Sequence, residues 1–153
     1  MQGKTPRGTK RQPPAAATTA IDKQRLENLS LFRYRLRRFL RFSEDAARAE
    51  GITVLHYQLL LHTQGFPGRD WASIRELAER LQARPHGVVA LVTRCEQAGL
   101  VERRDNAADG RLVEVHLTAK GRRCMLKLAG QHGEELAALT AVVEAMQAPQ
   151  ERG

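Results

Sequence analysis

Aromatic side chains are scarce in this chain: one Trp, two Tyr and four Phe among 153 residues. So sparse a set advertises no large aromatic-lined catalytic pocket. Cysteine is scarcer still. Cys95 and Cys124 alone are too few for a disulfide framework, which leaves the reduced cytoplasm as the expected location. No apolar run approaches the roughly 20 residues of a membrane helix, and the N-terminus has no signal-peptide core. A membrane partner is therefore not expected. Paired carboxylates, a nucleophile beside a base, a phosphate-cradling glycine loop and tight metal-ligand spacing are all missing from the pattern. The chain reads as a protein that is not an enzyme and needs neither cofactor nor metal.

What the chain has is positive charge, +8 overall with a pI near 10.3. That favours an anionic partner. Its distribution is uneven. Residues 1–20 carry Lys4, Arg7, Lys10 and Arg11 and no acid, in a Pro-, Ala- and Thr-rich setting. This composition reads as a disordered basic tail, either inert or an arm for phosphates. Residues 74–117 balance seven Lys/Arg against seven Asp/Glu. For that segment the argument must rest on where individual arginines stand.

Helical spacing runs over 21–50, with Leu26, Leu29, Phe32, Leu36, Phe39 and Leu40 on one stripe and arginines over much of the rest. Gly51 ends it, and Thr53 can cap a second helix carrying Val54, Tyr57, Leu60 and Leu61. Gly65-Phe-Pro-Gly68 breaks the chain. Ser73-Ile-Arg-Glu76 has the form of a capping box. The helix it opens places Ile74, Leu77, Ala78 and Leu81 at i, i+3, i+4 and i+7. A short turn leads to Pro85, suited to a first helical position, and to a helix with Val88, Leu91, Val92 and Cys95 on one side. Two short amphipathic helices and a tight turn make a helix-turn-helix.

Val101 then starts an extended run, Asn106 to Gly110 is a turn cluster, and Val113, Val115 and Leu117 alternate with Glu114 and His116 as in a half-buried strand. Thr118 can cap a further helix reaching about Met146, weakened by Gly130 and Gly133. A hairpin with an arginine at its tip, following a helix-turn-helix, is how a winged helix holds duplex DNA. Alone, it is equally a solvated hairpin of an α+β domain. The terminal helices each carry an apolar stripe that so small a domain cannot cover. They are expected to pack together and against a second copy, as a homodimer.

The segments Ile74-Arg-Glu-Leu-Ala-Glu-Arg-Leu81, Leu91-Val-Thr-Arg94, Glu96-Gln-Ala-Gly-Leu-Val-Glu-Arg103, Asp109-Gly-Arg111 and Leu117-Thr-Ala-Lys-Gly121 together carry a resemblance. In order and spacing the chain resembles the MarR (multiple antibiotic resistance regulator) family of transcription factors, over roughly residues 25 to 146. The resemblance implies a dimeric winged-helix repressor, released from promoters by a small-molecule or redox signal. There are two departures. Arg84 stands where the family often has a Ser or Thr cap, and Val88-Val89 where a polar residue often begins the groove-facing surface. Neither cysteine lies near the N-terminal dimer helix, where the family's peroxide sensors carry theirs.

The expected fold is mainly α with a small β-hairpin wing: a winged helix-turn-helix flanked by N- and C-terminal dimerisation helices. Its expected units are a tail (1–20), a dimerisation helix (21–50), the DNA-binding domain (51–117) and a C-terminal dimerisation helix (118–147). The expected partners are double-stranded DNA, a second copy of the chain and a small-molecule effector. The groove-facing candidates are Arg84, Pro85, His86, Gly87, Val89, Ala90, Thr93 and Arg94, with Gln97 at the end of the same face. Small residues allow close approach, and the polar ones reach bases or phosphates. Arg104 can flank a phosphate, and Arg103 is either a phosphate contact or a structural ion-pair partner. Arg111, by resemblance, enters the minor groove with Asp109 orienting its guanidinium. The effector candidates, again by resemblance, are Phe39, Phe42, His56, Tyr57 and Trp71. The competing reading is a winged-helix protein-interaction module that does not bind DNA. Cys95, on the apolar stripe, reads as a core filler, and Cys124 is not expected to be a sensor.

Overall fold

A computed structural model describes residues 21–148; the basic-tail expectation for 1–20 lies outside them. The described residues form α1 (Lys23–Ala49), α2 (Val54–Gln64), β1 (Trp71–Ser73), α3 (Ile74–Leu81), α4 (Pro85–Gln97), β2 (Val101–Asp105), β3 (Val113–Leu117), α5 (Ala119–Gln131) and α6 (Gly133–Gln147). The fold is mainly helical, with one small antiparallel sheet in the order β1-β3-β2.

Helix starts follow local chemistry. The Asp22, Thr53 and Thr118 side chains accept from the third backbone N–H of α1, α2 and α5, supplying acceptors that the first helical turn lacks. Ser73 and Glu76 form the full reciprocal capping box of α3. Pro85 opens α4, whose N-cap Arg84 makes no side-chain cap bond.

The core gathers around α2. Leu59, Leu60, Leu77, Leu100 and Leu128 are fully buried with Val88, Val92, Val101 and Val115. Burying such side chains stabilises the fold by about 1.5–3 kcal/mol each. Trp71–Ser73 adds a third strand to the expected hairpin, pairing Trp71 with His116 and Ser73 with Glu114. Three residues are too few for alternation to be visible in sequence. Leu100 is tied to the start of α5, since Thr118 donates its N–H to the Leu100 carbonyl and its hydroxyl to Gly99. Gly121 packs so closely there that a Cβ would stand 1.9 Å from the Leu100 carbonyl oxygen.

The stretch after Thr118 forms two helices, not one, broken at His132 between the two weakening glycines. α5 sends Met125 and Leu128 into the winged-helix core, while α6 packs on α1. The apolar stripe of α1 is shared between two directions. Phe32, Leu36 and Phe39 are half-buried within the chain, and Leu26, Leu29 and Leu40 are exposed.

Candidate nucleic-acid interface

α4 has one buried side, Val88, Leu91, Val92 and Cys95, as its spacing predicts. Arg84, Pro85, His86, Gly87, Val89, Ala90, Arg94 and Gln97 are all exposed. The surface is narrow, with Gly87 and Ala90 giving little bulk near the middle. Val89 is 44% exposed, an apolar group facing solvent.

Thr93 differs from its neighbours. It is half-buried, donates its hydroxyl to the Val89 carbonyl (3.0 Å) and accepts from the Arg103 guanidinium (2.9 Å). Arg103 also pairs with Glu96 and donates to the Val89 carbonyl (3.2 Å). Of the two roles open to Arg103, the geometry gives the structural one: it fastens β2 to α4. Much of the Thr93 hydrogen-bonding capacity is spent on that seam. Arg104, beyond it, is paired with Glu102 on the same face of β2.

The hairpin tip is a loop over residues 106–112, longer than a two-residue turn, and Gly110 does not adopt a positive φ. Asn106 organises it. Its side-chain oxygen accepts from the Ala108 and Asp109 backbone N–H groups, and its own N–H meets the Leu112 carbonyl. This is the Asx-type local bonding that shapes turns. The Asp109 carboxylate accepts from the backbone N–H of Arg111 (3.0 Å). Asp109 thus sets the backbone at Arg111, in place of the expected contact with its guanidinium, and the Arg111 side chain is exposed.

The base of the hairpin is a polar cluster. Glu114 accepts from Asn106 (2.6 Å) and pairs with His116 (2.6 Å), whose ring stacks on Trp71. The His116 bond, followed by Asn106, holds the Glu114 carboxyl below its ordinary range against the cost of desolvation. Trp71 also carries Arg69 over its ring at 3.8 Å, and Arg69 pairs with Glu76 of the α3 cap. Burial raises the Glu76 pKa, but the bonds from Ser73 and Arg69 outweigh it, and the net direction is down.

The proposed effector residues do not form one group. Phe39, Phe42 and Tyr57 surround the His132 ring at centroid distances of 5.6, 5.2 and 5.3 Å. His132 is buried, its Nδ1 lies 2.6 Å from the Leu128 carbonyl, and its Nε2 has no hydrogen-bond partner among the described residues. Trp71 sits apart, in the hairpin cluster. His56 has its pKa lowered by burial and then by the Arg94 charge of α4. Sequence reasoning missed His132. The available signal was a single polar residue between Gly130 and Gly133, where a helix break would turn it inward.

Burial pushes the Cys95 thiol up to about 11. Among the described residues, no group of three His, Cys, Asp or Glu side chains is placed to hold a metal, and no helix is long and apolar enough to cross a membrane.

Residues 50–112 match the sequence model of the MarR family. No curated protein matches the chain. Solved structures share its fold. AbsC, a MarR family transcriptional regulator from Streptomyces coelicolor, is 22% identical over 88% of each chain, with a TM-score of 0.62. A MarR family protein from Bacillus stearothermophilus is 19% identical over 86% of each chain, with a TM-score of 0.66. MepR of S. aureus, solved as a complex with DNA, is 20% identical over 80% of this chain and 85% of its own, with a TM-score of 0.61. Over residues 50–112 the chain is thus similar to the MarR family, and it shares the winged helix-turn-helix fold of the solved MarR regulators.

Proposed function

We propose that this chain is a DNA-binding transcriptional regulator that acts as a homodimer, with α4 in the major groove and Arg111 in the adjacent minor groove. The observation that carries the reading is the pairing of a narrow exposed α4 face with an Arg111 held out on an ordered tip. Arg84 and Arg94 flank that face and supply phosphate or base contacts. The similar MepR structure, solved on DNA, supports the same assignment. A second copy would cover the exposed Leu26, Leu29 and Leu40, and its two-fold axis would match a palindromic operator. Repression relieved by a small molecule is the regulatory reading. Its site narrows to Phe39, Phe42, Tyr57 and His132, with the unpartnered His132 Nε2 as the polar anchor.

The test is binding to the DNA that flanks the gene, measured against salt. Each phosphate neutralised adds about −0.9 to the slope of log K against log[salt]. A dimer engaging a few arginines per subunit gives a slope of several units. Absence of binding, or a flat salt dependence, supports the protein-interaction module instead.

A further inference from the structure

A cavity opens between the end of α1, the end of α4 and α5, away from the α4 face and the hairpin tip. It has a volume of about 410 Å³ and is lined by Glu50, Gly51 and Ile52 after α1, Ala98 and Leu100 after α4, and Lys120, Arg123, Cys124 and Lys127 of α5. That volume falls in the range of about 300–1,000 Å³ usual for small-molecule sites. Its three cations recur every three or four residues, so they stand on one side of α5. Two have single partners. Lys127 pairs with Glu50 (2.6 Å), and Lys120 donates to the Ala98 carbonyl (2.8 Å). An ammonium has three donors, so both retain capacity. Arg123 is exposed and takes part in none of the ion pairs or side-chain hydrogen bonds found among the described residues. Against Glu50 alone, the lining is cationic by two charges. Ile52, Leu100 and Ala98 give it an apolar side.

We propose that this cavity binds a small organic anion, its carboxylate or phosphate held by Arg123 with Lys120 and Lys127, and its hydrocarbon part against Ile52 and Leu100. The site is built where three elements meet. Lys120 connects it to the last turn of α4, because the Ala98 carbonyl that it holds belongs to the α4 C-cap. An anion competing for Lys120 acts directly on that bond. Binding itself does not depend on what α4 reads.

Cys124 provides a reporter. It is half-buried in the cavity wall, while Cys95 is buried in the core, so a neutral alkylating reagent reaches Cys124 alone in folded protein. The experiment follows iodoacetamide modification of Cys124 by mass spectrometry, at constant ionic strength, with hexanoate, inorganic phosphate or hexanamide added. Modification of Cys95 in the same sample marks any unfolded fraction. We expect hexanoate to slow Cys124 modification severalfold, phosphate to slow it at higher concentration, and hexanamide to have little effect. In Arg123→Gln, a surface change, the protection by hexanoate falls away while Cys95 stays unmodified. Protection by phosphate equal to that by hexanoate assigns the site to the oxyanion head alone and overturns the hydrocarbon part of the proposal. No protection by either anion, equal protection by hexanamide, or full protection retained in folded Arg123→Gln overturns the whole.

Discussion

Arg111 separates holding the fold from reading DNA more cleanly than any other residue. Its backbone N–H is fixed by Asp109 while its side chain is exposed. Arg111→Ala should therefore change thermal stability by no more than about 0.5 kcal/mol. It should also weaken specific DNA binding by about 1–3 kcal/mol per half-site. Arg111→Lys should recover part of that, because Lys lacks the planar fork and is more strongly hydrated. Asp109→Ala acts differently: it releases the tip backbone and should weaken binding less. Operator titrations paired with melts of the same variants check all three. Unaltered DNA affinity in Arg111→Ala would remove the tip from the interface. The exposure of Arg111 was legible in the sequence, because a polar turn cluster must face water. The role of Arg103 was not, since its partners Glu96, Thr93 and Val89 lie on another element. His132 was hidden for a similar reason. Its burial depends on Phe39, Phe42 and Tyr57 arriving from two other helices.

At the scale of elements, the join between α4 and α5 is the tightest constraint. Gly121→Ala would place a methyl carbon 1.9 Å from the Leu100 carbonyl oxygen, and backbone cannot yield as a side-chain end can. We expect destabilisation of at least about 3 kcal/mol, at or beyond the upper end of overpacking costs, read as a lower denaturation midpoint. Gly87→Ala, where a Cβ meets nothing within 4 Å, should raise stability by roughly 0.5–1 kcal/mol through helix propensity. A matched loss in both variants would contradict the packing account. These contacts give the Leu117-Thr-Ala-Lys-Gly121 pattern its physical content: Thr118 caps and bonds back to Gly99, and Gly121 permits the approach. Helix starts were readable because caps are local chemistry. β1 was not, because its strand character comes from pairing with β3. The break at His132 was half-legible: two glycines marked the weak point, but sequence could not say that α5 would turn into the core.

For the whole molecule, the acid response follows from named groups. Burial lowers the pKa values of His56 and His62, so their contribution to stability is present above the unfolded value near 6.5 and is lost as pH falls below it. Glu76 and Glu114 are lowered too, and their contribution is lost at more acid pH, as each is protonated in the folded state. Melting temperature should therefore fall in two stages on acidification. His56→Gln with His62→Gln should flatten the first stage alone. A first stage unchanged in that double variant would contradict the assignment. The exposed apolar groups of α1, with Leu136 at 52% exposure on α6, predict a dimer by sedimentation at micromolar concentration, and a folded monomer would remove the two-fold argument.

The interface account is tested most directly by a hydroxyl-radical footprint of the chain on the DNA flanking its gene. A dimer that places two α4 helices in successive major grooves should protect two symmetric patches. Their centres should lie about one helical turn, roughly 10 base pairs, apart, with outer minor-groove protection that disappears in Arg111→Ala. A single asymmetric patch, outer protection that persists in Arg111→Ala, or no protection at any salt concentration would contradict it.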